Sequence, residues 1–321
     1  MIDVVVVGLG PSGLAVLDAV QSMGATVLGV DKGRVCHHLK DFPADMIFFS
    51  TAEKLVLDGN TMGEGTGTNP NLGEALAYYE AFAERNKFPL LLDTNVVSIE
   101  GKDGDFTLRF SGGDLARARK VVLATGVYST PILCDIPGEN EANVSHYFPG
   151  KKGFMGKCIL IVGGGNSAAE AAMELASHND VTLVYRKDSF DTTRIKPWVL
   201  PVLETYIERG DVRAIMPGQT LSVSGGVGRI DGEEEVEEIP FDFCFLLTGH
   251  RPDRFFLEEG CGLVLEGPKE IPRHHKSLES SRKGIYVAGA LVDGNDRRRI
   301  FIENGREHGV PIAQHIARAL A

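Results

Sequence analysis

At 321 residues and 43% hydrophobic content, the chain has room for two ordinary domains with full cores. A net charge of −11 argues against nucleic acid as a general partner, because phosphate binding needs a positive field. The N-terminal apolar stretch falls far short of the roughly 20 residues of a spanning helix and has no basic leader, so no membrane role is expected.

An apolar run over residues 2–7 reads as a strand, and it enters the turn Gly8-Leu9-Gly10-Pro11-Ser12-Gly13 at the head of a small-residue helix. In such a turn the first glycine permits the sharp change of direction. The second lets backbone amides approach a pyrophosphate, and the third position must be small for helix and strand to pack. A second β-rich run, residues 26–30, closes on Asp31, 23 residues after Gly8, with Lys32 beside it. An acid at this place accepts hydrogen bonds from a ribose diol. A long loop over 32–71 then leads to a helix at 72–86 and short strands at 95–100 and 106–110. The run 120–124 enters Thr125-Gly126, a strand ending in a tight glycine turn.

The same device recurs 155 positions after the first. Residues 158–162 enter Gly163-Gly164-Gly165-Asn166-Ser167-Ala168, and residues 181–185 end at Arg186, with Lys187 beside it. An arginine there pairs with a 2′-phosphate. The first unit therefore reads as a site for FAD or NAD, and the second as a site for NADPH. Pro197, next to the only tryptophan, Trp198, and close to Arg194 and Lys196, reads as a helix start. The acidic run 231–238 reads as a solvated hairpin, and 241–247 as a strand entering Thr248-Gly249. A return segment carries a strand at 284–288, then Gly289, and a terminal helix from about residue 300 to 320. That strand cannot stand alone and should rejoin the first sheet. The expected fold is α/β, with two nested Rossmann-like dinucleotide-binding domains. Residues 1–126 and 251–321 form the FAD-binding domain, and residues 127–250 form the inserted NADPH-binding domain.

This order of motifs resembles the low-molecular-weight thioredoxin reductase-like flavoproteins over the whole chain. Phe42-Pro43, Phe48-Phe49-Ser50, His146-Tyr147-Phe148, the run 195–201, Gly294-Asn295-Asp296 and the run 300–305 are similar to the bacillithiol disulfide reductase family. The resemblance implies FAD in the first domain, NADPH in the second and hydride transfer to the flavin. It further implies delivery of electrons to a low-molecular-weight disulfide or a small redox protein, in a bacterial cytoplasm, by a homo-oligomer without a metal. Around the flavin it implicates Gly289, Asn295, Asp296 and Ile300. Arg297, Arg298 and Arg299, beside the expected electron exit, are candidates for gripping substrate carboxylates.

Two departures bear on the chemistry. The stretch before the second turn holds no CxxC, which excludes dithiol chemistry of the thioredoxin reductase kind. Ser12 stands where the bacillithiol family carries its proposed reactive cysteine, and a serine hydroxyl cannot form a mixed disulfide. The chain has five cysteines, scattered without CxxC spacing, which fits a reducing cytoplasm and excludes a zinc ribbon or disulfide scaffold. Among them Cys36 is the candidate replacement thiol, since Arg34, His37 and His38 would lower its pKa if their charges point at it. Ala290 occupies the place of an aspartate that bonds the ribityl chain in thioredoxin reductases, leaving Asn295 or Asp296 for that task. The missing thiols keep a second reading open, a ferredoxin or flavodoxin reductase on the same scaffold. A dinucleotide-sensing protein is a third, but it gives no reason for two sites of opposite charge selection.

Overall fold

The computed structural model describes residues 1–296 and 298–320. The chain divides into two compact units: Met1–Lys40, Asp45–Thr130 and His250–Ala321 form one, Asp41–Ala44 and Pro131–Gly249 the other.

The first unit is built on a seven-stranded sheet. Ile2–Val7 lies between Val27–Val30 and Leu115–Leu123 and pairs with both in parallel. Val4, Val5 and Val6 are completely buried, as a strand covered on both faces requires. Leu115–Leu123 is long because it serves three neighbours. Its first half pairs antiparallel with Asp105–Phe110, its second half pairs parallel with Ile285–Val287, and its other edge holds Ile2–Val7. The return strand thus rejoins the first sheet from more than 150 residues away. The helix Leu72–Arg85 opens on a complete capping box, with Asn71 and Glu74 satisfying each other's backbone N–H groups.

The second unit has a five-stranded parallel sheet in which Cys158–Val162 lies between Asp180–Val184 and Phe243–Leu246. One face packs on the alanine-rich helix Asn166–Ala176, through Ala168, Ala172 and Leu175. The other face packs on an antiparallel three-stranded sheet through Val223, Ile230 and Ile239. The acidic run forms the hairpin between Val227–Asp231 and Val236–Pro240.

Two expectations are corrected. The terminal helix is not continuous: it is Ile302–Gly305, a 3-10 turn Arg306–His308, and then Gly309–Leu320. Pro311 has no N–H to bond the Glu307 carbonyl and its ring would clash there, so the helix must restart. Pro197 likewise begins no helix. It lies in a turn, and the helix Leu200–Glu208 starts later, with Pro201 in its first positions. Among the described residues no helix is long and apolar enough to cross a membrane.

Candidate functional site

Each glycine turn sits at the C-terminal end of a central parallel strand, where neighbouring strands diverge and open α/β sheets bind ligands. Gly8 has φ +97°, and a Cβ there would lie 2.4 Å from the Ala124 carbonyl oxygen, just ahead of Thr125 and Gly126. A Cβ on Gly13 would lie 1.9 Å from the Gly8 oxygen. Gly10, by contrast, faces open space: nothing lies within 4 Å of where its Cβ would be. The helix Pro11–Gln21 begins on Gly10 with no side-chain cap. Its first N–H groups and the positive end of its dipole face a space bare of side chain, which suits a pyrophosphate.

Asp31, 8% exposed, closes this turn from the neighbouring strand. Its Oδ2 accepts the Leu9 N–H at 2.7 Å and its Oδ1 the Gly33 N–H at 2.9 Å. The acid read as a ribose acceptor is therefore also the clamp that shapes the turn. Each carboxylate oxygen keeps a second lone pair for a hydroxyl. Ser12 lies at a convergence of three segments, because Cβ atoms on Gly289 and on Gly305 would each fall 2.8 Å from its Oγ. Only glycine at both places lets the return segment and the short helix Ile302–Gly305 close on the first turn.

The second turn repeats the logic with different neighbours. Gly163 has φ +153°, and a Cβ there would meet the Leu247 oxygen at 2.5 Å. Gly164 is filled by the Tyr185 ring, 2.0 Å from its would-be Cβ, and Tyr185 stacks on Phe190 at 5.6 Å. Gly165 again faces open space and begins an uncapped helix, Asn166–Ala176, in which Ser167 follows Asn166 and Ala168 is completely buried. Both glycine-turn helices thus start uncapped on an open glycine, unlike the capped helix Leu72–Arg85. The Asn166 Oδ1 accepts the Lys196 N–H at 3.3 Å, drawing the tryptophan segment to the helix start. Glu170, one turn along, has its pKa raised by burial, against the opposing effects of Asn166 and Lys196. Arg186 and Lys187, at the end of Asp180–Val184 and Tyr185, are exposed, and neither forms an ion pair among the described residues. They are available to an external phosphate.

The environment expected for Cys36 is not found. The thiol is 2% exposed, and burial, then Asp31 and Glu80, push its pKa well above the ordinary value, with Lys40 the countering charge. Arg34, His37 and His38 do not offset them, and a buried, protonated thiol is a poor nucleophile. Burial likewise raises the thiols of Cys134, Cys244 and Cys261.

The return loop differs from expectation as well. Asp296 is committed to cations: Arg298 binds it through Nε at 2.7 Å and Nη2 at 3.0 Å, and Lys269 pairs with it too. Arg298 foremost, then Lys269, holds the Asp296 carboxyl far below the usual range. Asp296 is thereby a latch between two loops, and its Oδ1 keeps one lone pair beyond the Arg298 bond. The Asn295 N–H bonds the Lys269 carbonyl at 2.7 Å, which serves the same latch. Arg298 is therefore spoken for, whereas Arg299 approaches Asp293 only at 3.7 Å. Arg297 lies outside the described residues. Ile300 packs near Gly305.

Two residues escaped the sequence reading. His308 accepts the Gly289 N–H on Nδ1 at 3.0 Å and so pins the backbone beside Ser12. Asp293 is 7% exposed, and its Oδ2 has no hydrogen-bond partner among the described residues. No periodicity announces a pairing across 19 residues, and Asp293 sits in an otherwise apolar run.

With this geometry in place, residues 5–289 match the pattern of the family described as pyridine nucleotide-disulphide oxidoreductase. The chain is 32% identical to the bacilliredoxin reductase Bdr of Bacillus subtilis (strain 168), over 98% of this chain and 97% of that one. It superposes on the bacillithiol disulfide reductase Bdr of Bacillus cereus with a TM-score of 0.93 and 30% identity, covering 99% of each chain. A ferredoxin–NADP reductase of Acidiphilium cryptum (strain JF-5) is 26% identical over 95% of this chain and 88% of its own length.

Proposed function

Because the chain belongs to the pyridine nucleotide-disulphide oxidoreductase family, we propose that it passes electrons from NADPH through FAD to a low-molecular-weight disulfide of the bacillithiol type. In sum, NADPH, one proton and the disulfide give NADP⁺ and two thiols. The observation that carries the assignment of the two coenzymes is the contrast between the two strand ends. Asp31 is buried and clamps its own turn, which suits a ribose without a 2′-phosphate. Arg186 and Lys187 are exposed and unpaired among the described residues, which suits a ribose that carries one.

Bound FAD would supply the two-electron carrier between the coenzyme and the disulfide. The protein's part is to hold it. The uncapped helix at Gly10 and the Asp31 carboxylate would take the adenosine pyrophosphate end. At the Ser12, Gly289 and Gly305 convergence there is no room for a Cβ on either glycine, so backbone alone closes on that turn. The relatives' names differ in the acceptor, a bacilliredoxin in one and bacillithiol disulfide in the other, and share a disulfide. Five free cysteines favour a reducing compartment, the cytoplasm.

Ser12 and the burial of Cys36 leave no thiol placed for a mixed disulfide, so disulfide reduction by this chain would proceed without a protein thiol; the same two residues favour a second reading, ferredoxin or flavodoxin reduction. Steady-state NADPH oxidation by the FAD-loaded protein, offered bacillithiol disulfide, ferredoxin and dioxygen in parallel, separates the two. Turnover with the disulfide well above the dioxygen background supports the first, and turnover with ferredoxin alone supports the second.

A further inference from the structure

The chain carries a net charge of −11, yet its return loop concentrates cations beside the first glycine turn. Those cations are not equivalent. Arg298 and Lys269 share Asp296, which cancels one of their two positive charges and fixes both side chains to the latch. Arg299 is built differently. Its carbonyl accepts the Asn304 Nδ2 at 2.6 Å, and Asn304 Oδ1 accepts the Phe301 N–H at 2.8 Å, so the backbone of Arg299 is fixed to the start of the helix Ile302–Gly305. Its side chain is 75% exposed. The Nε lies 3.7 Å from the Asp293 Oδ2, a buried oxygen with no hydrogen-bond partner of its own, and no other carboxylate pairs with this guanidinium among the described residues. The next residue, Ile300, packs 3.5 Å from the Cβ position of Gly305, and Ser12 Oγ lies 2.8 Å from that same position. Arg299 thus stands one residue from the convergence that brings the return segment to the cofactor turn.

We infer that Arg299 is the specificity-determining cation of the substrate site: it grips a carboxylate of the incoming disulfide through its outward Nη edge, with Asp293 behind it as the positioning residue. A guanidinium offers five donors in a planar fork, so one edge can face Asp293 while the other binds a carboxylate in bidentate fashion. The buried carboxylate draws the fork toward the loop by charge, without a hydrogen bond, and so narrows the rotamer freedom to be lost on binding. The substrate class that follows is a low-molecular-weight disulfide bearing carboxylates, as bacillithiol disulfide does, in preference to a neutral one. The inference rests on the disulfide reading above and narrows it.

The test uses the FAD-loaded full chain with two disulfides, bacillithiol disulfide and the neutral 2-hydroxyethyl disulfide. Arg299→Ala should raise KM for bacillithiol disulfide roughly ten- to hundredfold, the range for a lost charge-assisted hydrogen-bond pair, with kcat little changed. It should leave KM for the neutral disulfide alone, and Arg299→Lys should restore part of the loss. Arg298→Ala, which loosens the latch, should affect both substrates alike. Equal effects of Arg299→Ala on the two disulfides, or none, would overturn the inference. If the wild type reduces neither disulfide, the disulfide reading itself fails. Calorimetric binding of bacillithiol disulfide to wild type and Arg299→Ala then decides the role of Arg299: weaker binding by the variant upholds the grip, and unchanged or undetectable binding by both overturns it.

Discussion

The Asp31 carboxylate accepts the Leu9 N–H at 2.7 Å, so the end of the second strand is tied directly to the glycine turn that follows the first. A second bond, from the Gly33 N–H, fixes the carboxylate in the plane this requires. The residue proposed to select the ribose is thus also part of the scaffold, and its loss should be visible before any cofactor is added.

Asp31→Ala leaves two N–H groups without their acceptor, each unsatisfied buried donor costing about 1 to 3 kcal/mol. Urea unfolding of the FAD-free protein should show a lower midpoint, and the purified variant should retain little FAD. An unchanged midpoint would show that the clamp contributes nothing to the fold.

Arg186→Ala should lower kcat/KM with NADPH roughly ten- to hundredfold, as expected for losing a charge-assisted pair worth about 1.5 to 3 kcal/mol, and should barely affect NADH. Because Arg186 is exposed and makes no ion pair among the described residues, little stability should be lost with it. Equal losses with both coenzymes would mean that Arg186 does not read the 2′-phosphate.

Cys36→Ala should preserve both flavin reduction by NADPH and reduction of the disulfide. The thiol is buried and held protonated by burial and by the charges of Asp31 and Glu80, so it contributes no thiolate. Its backbone, at φ +53°, is strained for any residue with a side chain, so Cys36→Gly should fold at least as well. Stopped-flow absorbance separates the two half-reactions. Selective loss of the second in Cys36→Ala would return this cysteine to the reaction.

His308 gives a pH dependence of defined sign. Burial, with His274 adding to it, lowers its folded pKa below the ordinary 6.5, while Glu307 and Asp293 oppose the shift. The unfolded chain therefore takes up this proton at higher pH than the folded one. The stability that the neutral ring contributes is complete above about pH 6.5 and is lost as the pH falls toward the folded value. His308→Gln, whose amide oxygen can still accept the Gly289 N–H, should flatten the fall in urea midpoint below pH 6.5. An unaltered slope would assign that fall to other groups.

Much of this was legible in the sequence because the constraints are local. Gly8 and Gly163 are fixed by the steric limits of a strand-to-helix turn, and the 23-residue spacing to Asp31 and Arg186 is the length of one β-α-β pass. The return of Ile285–Val287 to the first sheet followed from the need of a short apolar strand for partners. What could not be read depends on who meets whom across the fold. Arg34, His37 and His38 adjoin Cys36 in sequence, but the charges that govern its thiol are Asp31, Glu80 and Lys40. The arginines following Asp296 read as one patch, yet one is latched and another is held only from behind. The break before Gly309 is written in Pro311, which interrupts a long apolar periodicity.

The central claim is that this protein carries electrons from NADPH to a small disulfide without a protein thiol. It is tested most directly by mixing anaerobically NADPH-reduced, FAD-loaded protein with bacillithiol disulfide in a stopped-flow instrument, using a variant in which all five cysteines are replaced. The flavin absorbance should recover, with two thiols formed per flavin reoxidised. Flavin that stays reduced with the disulfide in this variant, yet recovers in wild type or only on adding ferredoxin, would contradict the account.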